Sequence, residues 1–220
     1  MRGPGRRTAR GVLAAAIAAG LLAAGTTGAG ADSTYITESS TQPAAPRSIP
    51  VGTPIRGALI FGVQLSPEGT DFFTWDFPLA VAPNRDWRRW GADVTIERTL
   101  AVIAEHRAAN FGAPRVGIAD VSREDGGPFG KRFGGLGHAS HQNGLDVDVL
   151  YPRADHLERV APKAKLIDRR LSQDLVDRFV AAGAQFVFVG LNTKLRGPKK
   201  VVQRIAHHDD HIHVRWRPGA

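Results

Sequence analysis

The sequence predicts an α+β domain built around a largely antiparallel sheet with flanking helices. Segments typical of strands and of helices are mixed along the chain without the regular β-α-β alternation that indicates a parallel sheet. One segment, from Leu145 to Tyr151, alternates apolar and polar side chains in the manner of a strand with two different faces. A chain of 220 residues that carries a leader leaves about 190 residues, which is enough for one domain.

The leader is predicted from residues 1–31. Four arginines lie in the first ten residues, an apolar run follows from Gly11 to Gly25, and Ala29-Gly30-Ala31 supplies the small residues of a cleavage site. This pattern is typical of a secretory signal peptide, so we expect the mature protein to be exported to the periplasm, the cell wall or the medium. An uncleaved membrane anchor is the alternative, but the apolar run is shorter than the roughly 20 residues that span a bilayer.

Residues 32–50 are rich in Ser, Thr, Ala and Pro and are expected to form a flexible lead-in, which leaves residues 51–220 as the folded domain. Removal of the leader lowers the formal net charge from +8 to about +4. That charge suits contact with an anionic wall polymer, whereas no stripe of Lys and Arg interleaved with aromatic residues indicates a nucleic-acid partner. The basic segment 194–204 is predicted to be a solvated loop.

In the first half of the domain, Ile55–Gln64 is predicted to be a buried strand because Leu59-Ile60-Phe61 lies at its centre. Apolar residues recur every three or four positions in Asp93–Asn110, which indicates a helix. Arg115–Val121 is predicted to be a strand, and the glycines between Gly126 and Gly135 indicate a long loop.

In the second half, Leu145–Tyr151 and Gln185–Val189 are predicted strands, and His211–Trp216 is the last one. Ser172–Ala182 has the apolar spacing of a helix, with Ser172 as its expected N-cap.

Six of the eight histidines lie in two short motifs, Gly137–Val149 and His207–Trp216. The sequence contains no cysteine, so any metal site must use His, Asp and Glu, which favours a catalytic site over a structural one.

The alternation of strands places the chemical groups of both motifs. Asp146 and Asp148 share one face of the first strand, and His211 and His213 share one face of the last. If these strands are neighbours, Asp148 and His213 converge, and the turn before the first strand can bring His141 to the same place. Three such ligands leave a position for water, as in a catalytic zinc site. A hydrogen-bonded polar network without metal is the alternative.

The two motifs resemble those of the penicillin-insensitive murein endopeptidases, a family within the group that joins lysostaphin-type peptidases, D-alanyl-D-alanine metallopeptidases and hedgehog domains. Ser140–Asp148 resembles the first zinc motif, and His208–Arg215 resembles the second. The resemblance covers roughly Val51–Arg217, including Gly57–Leu65, Trp90-Gly91 and Val116–Ser122.

The resemblance implies that His141, Asp148 and His213 bind Zn²⁺ and that His211 is the active-site histidine beside the metal. It also implies that His208 lines that site and that His138 lies just before the first ligand. No H-E-x-x-H sequence occurs, so His211 is the expected residue to manage the proton or stabilise the oxyanion, with orientation of a ligand as its alternative role.

Two further residues are candidates for the site. Asp146 is expected either to hold the tautomer of a histidine or to be solvated. Arg215 is expected either to bind a carboxylate of the substrate or to be exposed.

The resemblance implies a zinc peptidase that cuts the D-alanyl to meso-diaminopimelate cross-links of peptidoglycan and is insensitive to β-lactams. Two alternatives remain open at this stage. One is a D,D-carboxypeptidase of the same group, and the other is a zinc-binding cell-wall module without catalytic activity.

Overall fold

The computed structural model describes residues 47–130 and 138–219. All described residues belong to one compact unit, Ala44–Ala220. The predicted signal peptide, most of the lead-in and residues 131–137 of the glycine-rich loop lie outside the described residues. Within the described ranges, neither helix combines the length and the apolar character that crossing a membrane requires.

The described part contains ten strands and two helices. They are β1 (Ile49–Thr53), β2 (Arg56–Ile60), β3 (Val63–Gln64), β4 (Phe72–Thr74), β5 (Trp90–Gly91), α1 (Asp93–Ala109), β6 (Val116–Ile118), β7 (Asp146–Leu150), α2 (Arg169–Ala181), β8 (Phe186–Gly190), β9 (Val202–Ile205) and β10 (His211–Arg215). Short 3₁₀ turns occur at Asp86–Arg88 and Ala164–Leu166.

Six strands form the main sheet in the order β4-β6-β7-β10-β8-β9. The three inner pairs, β6 with β7, β7 with β10 and β10 with β8, are antiparallel. The two outer pairs, β4 with β6 and β8 with β9, are parallel. The predicted α+β class with a largely antiparallel sheet is confirmed.

One face of the central strands belongs to the hydrophobic core. Val147 of β7 and Val214 of β10 are almost fully buried there, together with Ile103 of α1 and Phe179 of α2. Burial of each such side chain stabilises the fold by about 1.5–3 kcal/mol. Side chains alternate along a strand, so the residues next to Val147 in β7 and next to Val214 in β10 point to the opposite face of the sheet. That face is therefore available for a site.

The predicted start of the second helix is wrong. Helix α2 begins at Arg169, and its N-cap is Asp168, whose side chain accepts a hydrogen bond of 2.9 Å from the backbone N–H of Leu171. Ser172 lies inside the first turn, where its hydroxyl donates to the carbonyl oxygen of Asp168. Both Asp and Ser are good caps, and the apolar spacing alone did not separate them.

The prediction of a buried strand over Ile55–Gln64 is also wrong. The segment divides into β2 and β3 at Phe61, whose φ is 54°. Leu59 is buried, but Ile60 and Phe61 are 45% and 57% exposed, because β2 pairs with β1 in a separate two-stranded sheet. Strand β1 begins at Ile49, two residues before the predicted start of the domain.

The basic segment 194–204 is a loop only in its first part. Its last residues enter β9, an edge strand that pairs in parallel with β8. Val202 is buried at this edge, whereas Arg204 is exposed, so a short amphipathic strand follows the solvated loop.

Candidate metal centre

The pairing of β7 with β10 places two predicted ligands opposite each other. His213 is the register partner of Asp148, and Arg215 is the partner of Asp146. Side chains of directly opposed residues on one face of an antiparallel pair are neighbours. Two motifs that are far apart in sequence therefore meet on the face of the sheet that is turned away from the core.

Three ligand atoms converge at this place. Oδ1 of Asp148 lies 3.1 Å from Nδ1 of His213 and 3.3 Å from Nε2 of His141. The two imidazole nitrogens are themselves 3.2 Å apart. All three side chains are buried, with exposed fractions of 1% for Asp148, 0% for His141 and 6% for His213.

The donor set fits a divalent metal ion. Neither carboxylate oxygen of Asp148 has a hydrogen-bond partner among the described residues, although Oδ1 lies close to two imidazole nitrogens. A buried carboxylate without partners is costly, and coordination of a cation removes that cost. His141, Asp146 and His213 form one group of converging ligand atoms, and His138, His141 and Asp148 form another.

The turn before β7 fixes the orientation of His141. The residue has a positive φ of 67°, and its backbone N–H donates to Oδ2 of Asp146 over 3.1 Å. Nδ1 of its ring donates to the carbonyl oxygen of Val121 over 2.7 Å, so Nε2 is left to face the ligand cluster. The turn ends at Gly144, where a Cβ would lie 2.7 Å from the backbone nitrogen of Ala92.

His138 lies on the other side of the cluster and is held by a buried carboxylate. Its Nε2 lies 2.7 Å from Oδ2 of Asp120, and its Nδ1 lies 3.9 Å from Oδ2 of Asp148. Asp120 is fully buried and binds the guanidinium of Arg88 through Nε at 2.6 Å and through Nη2. Asn84 donates to the same carboxylate. Asp120 therefore directs the Nδ1 of His138 toward the site.

His211 lies beside the cluster with one nitrogen directed toward it. Its Nδ1 lies 2.7 Å from Oδ1 of Asp210, and its Nε2 lies 3.6 Å from Oδ1 of Asp148. The ring of Phe77 meets it edge-on at 5.6 Å. Asp210 is thus the partner that orients this histidine.

His208 lines the same site at a greater distance. Its ring centroid is 4.8 Å from that of His211 and 5.8 Å from that of His213. Its Nδ1 donates to the carbonyl oxygen of Ala206 over 2.7 Å. Burial and the neighbouring charge of His211 lower the pKa of His208 to about 4, although the hydrogen bond to Ala206 opposes this, so the ring is neutral at pH 7.

Asp146 and Arg215 form an ion pair across the two strands. Nε and Nη2 of Arg215 donate to the two oxygens of Asp146 over 2.7 and 3.0 Å. Asp146 is fully buried, which excludes the alternative that it is solvated. Its Oδ1 also lies 3.5 Å from Nε2 of His213, which is the arrangement of a carboxylate that holds a ligating imidazole. Arg215 is bonded to this carboxylate and also lines the cleft.

The carboxylates and imidazoles of the cluster shift one another's pKa values. Burial raises the pKa of Asp148, but the charges of His141 and His211 outweigh burial and hold that pKa well below its usual value. Burial lowers the pKa of His213, whereas its contacts with Asp146 and Asp148 raise it to about 9. In the metal-free protein His213 is therefore protonated at neutral pH, and a metal ion that binds its ring must displace this proton.

A cleft with a volume of about 760 Å³ opens over these residues. The candidate ligands Asp148 and His213 line it together with His138, His208 and His211. Its apolar wall includes Ile55, Phe77, Phe188 and Ile205.

Sequence reasoning did not assign roles to Asp120, Asp210 and the carbonyl of Val121. Asp120 and Val121 belong to a separate strand region, and no local pattern shows that they contact the histidine motif. The contact of Asp210 with His211 could have been suspected from the sequence, because the two residues are adjacent. Asp209, by contrast, accepts hydrogen bonds from Asn192 and supports a loop.

The fold and the site define a domain with a candidate metal centre at the floor of a cleft. The family model of penicillin-insensitive murein endopeptidases matches residues 50–182, which is more than half of the sequence. The chain belongs to this family of peptidoglycan-cleaving peptidases. The match includes His141 and Asp148 but ends before β10, so it does not cover His213. Only the structure places His213 beside Asp148. No curated protein matches the chain.

Proposed function

We propose that the protein is an exported zinc metallopeptidase that hydrolyses the D-alanyl to meso-diaminopimelate cross-links of peptidoglycan. The observation that carries the proposal is the convergence of His141, Asp148 and His213 in the cleft of a chain from the murein endopeptidase family. Export is supported by the leader pattern in residues 1–31.

The donor set supports zinc in particular. Two imidazole nitrogens and one carboxylate oxygen are the protein ligands of many catalytic zinc sites. A bound zinc ion polarises a carbonyl group and lowers the pKa of a coordinated water. We assign His141 Nε2, Asp148 and His213 Nδ1 as ligands, and His138 as a further residue directed at the same site through Nδ1.

His211 is the residue assigned to proton transfer or to stabilisation of the oxyanion. Its Nδ1 is occupied by Asp210, so its Nε2 is the atom available to the reacting groups. Burial lowers the pKa of His211, but the charges of Asp148 and Asp210 raise it above its ordinary value. A protonated Nε2–H can donate to an oxygen that gains negative charge.

The cleft supplies space and walls for a peptide. Phe77 packs against His211 and Phe188 packs against His213, so apolar surface flanks both histidines. Apolar side chains lower the local dielectric, which strengthens the electrostatic interactions beside them. Hydrolysis at a metal centre needs no acylated serine, and we therefore expect β-lactams to leave the activity unchanged.

Purified cross-linked muropeptide dimers provide the test. The mature protein is incubated with them with and without a chelator, and mass spectrometry identifies the products. We expect conversion of dimers to monomers, its loss with the chelator, and its recovery on addition of zinc. His211→Ala should retain zinc but lose activity, whereas His156→Ala, outside the site, should remain active.

The products distinguish the alternatives. Loss of one D-alanine from intact dimers would replace the proposal with a D,D-carboxypeptidase. No product from a protein that binds one zinc ion tightly would leave the wall-binding module as the better account.

A further inference from the structure

A second surface of the protein is strongly basic. Residues 194–204, here called the basic loop, carry five exposed cationic side chains, namely Lys194, Arg196, Lys199, Lys200 and Arg204. No ion pair among the described residues involves any of the five. By contrast, nine arginines elsewhere in the described residues form ion pairs with Asp or Glu.

The surrounding sequence does not neutralise this charge. No Asp or Glu occurs between Asp177 and Asp209. The two flanking acids are engaged by amides, Asp177 by Gln173 and Asp209 by Asn192. The cationic side chains therefore act together on an approaching anion.

The backbone that presents these cations is fixed. Leu195 is 1% exposed and anchors the loop in the core. The backbone N–H of Arg196 donates to Oε1 of Gln173 over 3.0 Å, and its carbonyl accepts from Nε2 of the same amide over 2.8 Å. The N–H groups of Val201 and Val202 both donate to the carbonyl of Pro198 over 2.8 Å. Little ordering of the backbone is then needed on binding.

The basic loop leads directly into the candidate active site. Arg204 lies in β9, and the next residues, Ile205, Ala206 and His207, line the cleft. A polymer bound along the basic loop would therefore pass the entrance of the cleft.

We propose that the basic loop binds the carboxylates of uncut stem peptides and so holds a peptidoglycan strand beside the cleft. This inference rests on the proposed function, because it takes the polymer that the cleft would cut as the ligand. Stem peptides repeat along each glycan strand and carry free carboxylates. A single exposed ion pair is weak, but several on one polymer raise the effective concentration of the next cross-link.

Charge reversal at the tip of the loop tests this proposal. Lys199→Glu/Lys200→Glu is compared with Lys163→Glu/Lys165→Glu, which makes the same change of net charge at two exposed lysines outside the loop. Both pairs are introduced into the His211→Ala protein, so that the polymer remains uncut. Binding is measured by pelleting with insoluble peptidoglycan in two arms, one from which phosphate polymers have been removed and one in which they are retained.

We expect the loop variant to bind about tenfold more weakly at low salt and the control variant to bind like its parent. The difference should shrink at about 0.5 M salt, where charges on exposed groups are screened. With His211 restored, the loop variant should cleave soluble muropeptide dimers at the parent rate but digest insoluble peptidoglycan more slowly. Circular dichroism and Tm establish that both variants are folded.

Three results would overturn the proposal. Unchanged binding of the loop variant would show that the loop does not contact the polymer. Equal loss in both variants would assign the effect to net charge alone. A loss seen only with walls that retain phosphate polymers would make phosphodiesters the ligand. If the protein without any substitution fails to cleave dimers, the proposed function is rejected instead. The pelleting comparison would still decide whether the basic loop binds peptidoglycan.

Discussion

Individual histidines in the cleft depend on neighbouring carboxylates for their orientation. His211 illustrates this, since Asp210 holds its Nδ1 at 2.7 Å. We expect Asp210→Asn to lower kcat by about 10²-fold, because an amide neither fixes the same tautomer nor supports the protonated ring. The measurement is the rate of dimer cleavage at saturating substrate, with zinc content determined in parallel.

Asp209 is the matched control for this prediction. It is the preceding acid, but it binds Asn192 and no histidine. Asp209→Asn should therefore leave kcat close to that of the parent. Full activity of Asp210→Asn would show that His211 does not need its carboxylate partner.

Asp120 is expected to act on the metal through His138. Asp120→Asn and His138→Ala should each weaken zinc affinity by about 10–100-fold, which is typical when the partner of a ligating histidine is removed. Calorimetric titration of the metal-free proteins measures this affinity.

The double variant separates a positioning role from a structural one. If Asp120 acts through His138, Asp120→Asn should have little further effect on zinc affinity in the His138→Ala background. Additive losses would contradict this coupling. Since Arg88 loses its buried partner in either background, Tm should fall in both and does not discriminate.

At the residue scale, the sequence predicted what strand alternation determines. Asp148 and His213 each lie on the polar face of a strand that is apolar on its other face, and their meeting needed only the assumption that these strands are neighbours. Asp120 could not be found in this way, because its contact with His138 depends on how a separate strand and a turn pack together. A contact of this kind leaves no periodic signal in the sequence.

At the scale of elements, the cap of α2 can be tested directly. Asp168→Ala should lower the free energy of unfolding by about 1 kcal/mol, because the N–H of Leu171 loses its acceptor. Ser172→Ala should have a smaller effect, since its hydroxyl only adds a bond to a carbonyl within the first turn. Urea unfolding of the metal-free proteins measures both, and the reverse order would restore Ser172 as the cap.

The packing of α1 on α2 buries a histidine whose charge is unfavourable. His106 is fully buried, and its Nδ1 lies 2.6 Å from Asp174 of α2. Burial lowers the pKa of His106, although Asp174 partly opposes this; Arg107 and Arg178 lower the pKa further. Below pH 6.5 the unfolded chain therefore binds a proton that the folded protein does not, and the free energy of unfolding should decrease as the pH falls.

His106→Asn isolates this contribution. An amide can still donate to Asp174, but it does not titrate, so the decrease between pH 7 and pH 5 should be smaller than in the parent. His208, whose pKa is also lowered, should supply part of the remaining slope. Equal slopes in urea unfolding would mean that His106 does not contribute.

Apolar runs proved ambiguous at this scale. Ile55–Gln64 was predicted to be a buried strand, but its strands belong to two small sheets outside the main sheet, and its large apolar residues other than Leu59 are exposed. Strand β9 escaped prediction because it is short and follows a basic loop. The helices were easier to predict, because their apolar residues recur every three or four positions over several turns.

For the whole molecule, metal binding should stabilise the fold. A ligand at 100 times its Kd stabilises the folded state by about 2.7 kcal/mol, which corresponds to an increase in Tm of roughly 5–10 °C for a domain of this size. Thermal unfolding with and without zinc measures the increase. His213→Ala should remove it and His156→Ala should keep it; an unchanged increase in His213→Ala would exclude that histidine as a ligand.

The pairing of β7 with β10 also determines when the site can form during synthesis of the chain. Asp148 emerges from the ribosome well before His213, and the strand that carries His213 is the last one in the described chain. A growing chain that had reached residue 182 would contain the whole stretch matched by the family and still lack one of the three proposed ligands. With the ligand set proposed above, a nascent chain cannot complete the metal centre, and so should not cleave a substrate, until β10 has been synthesised.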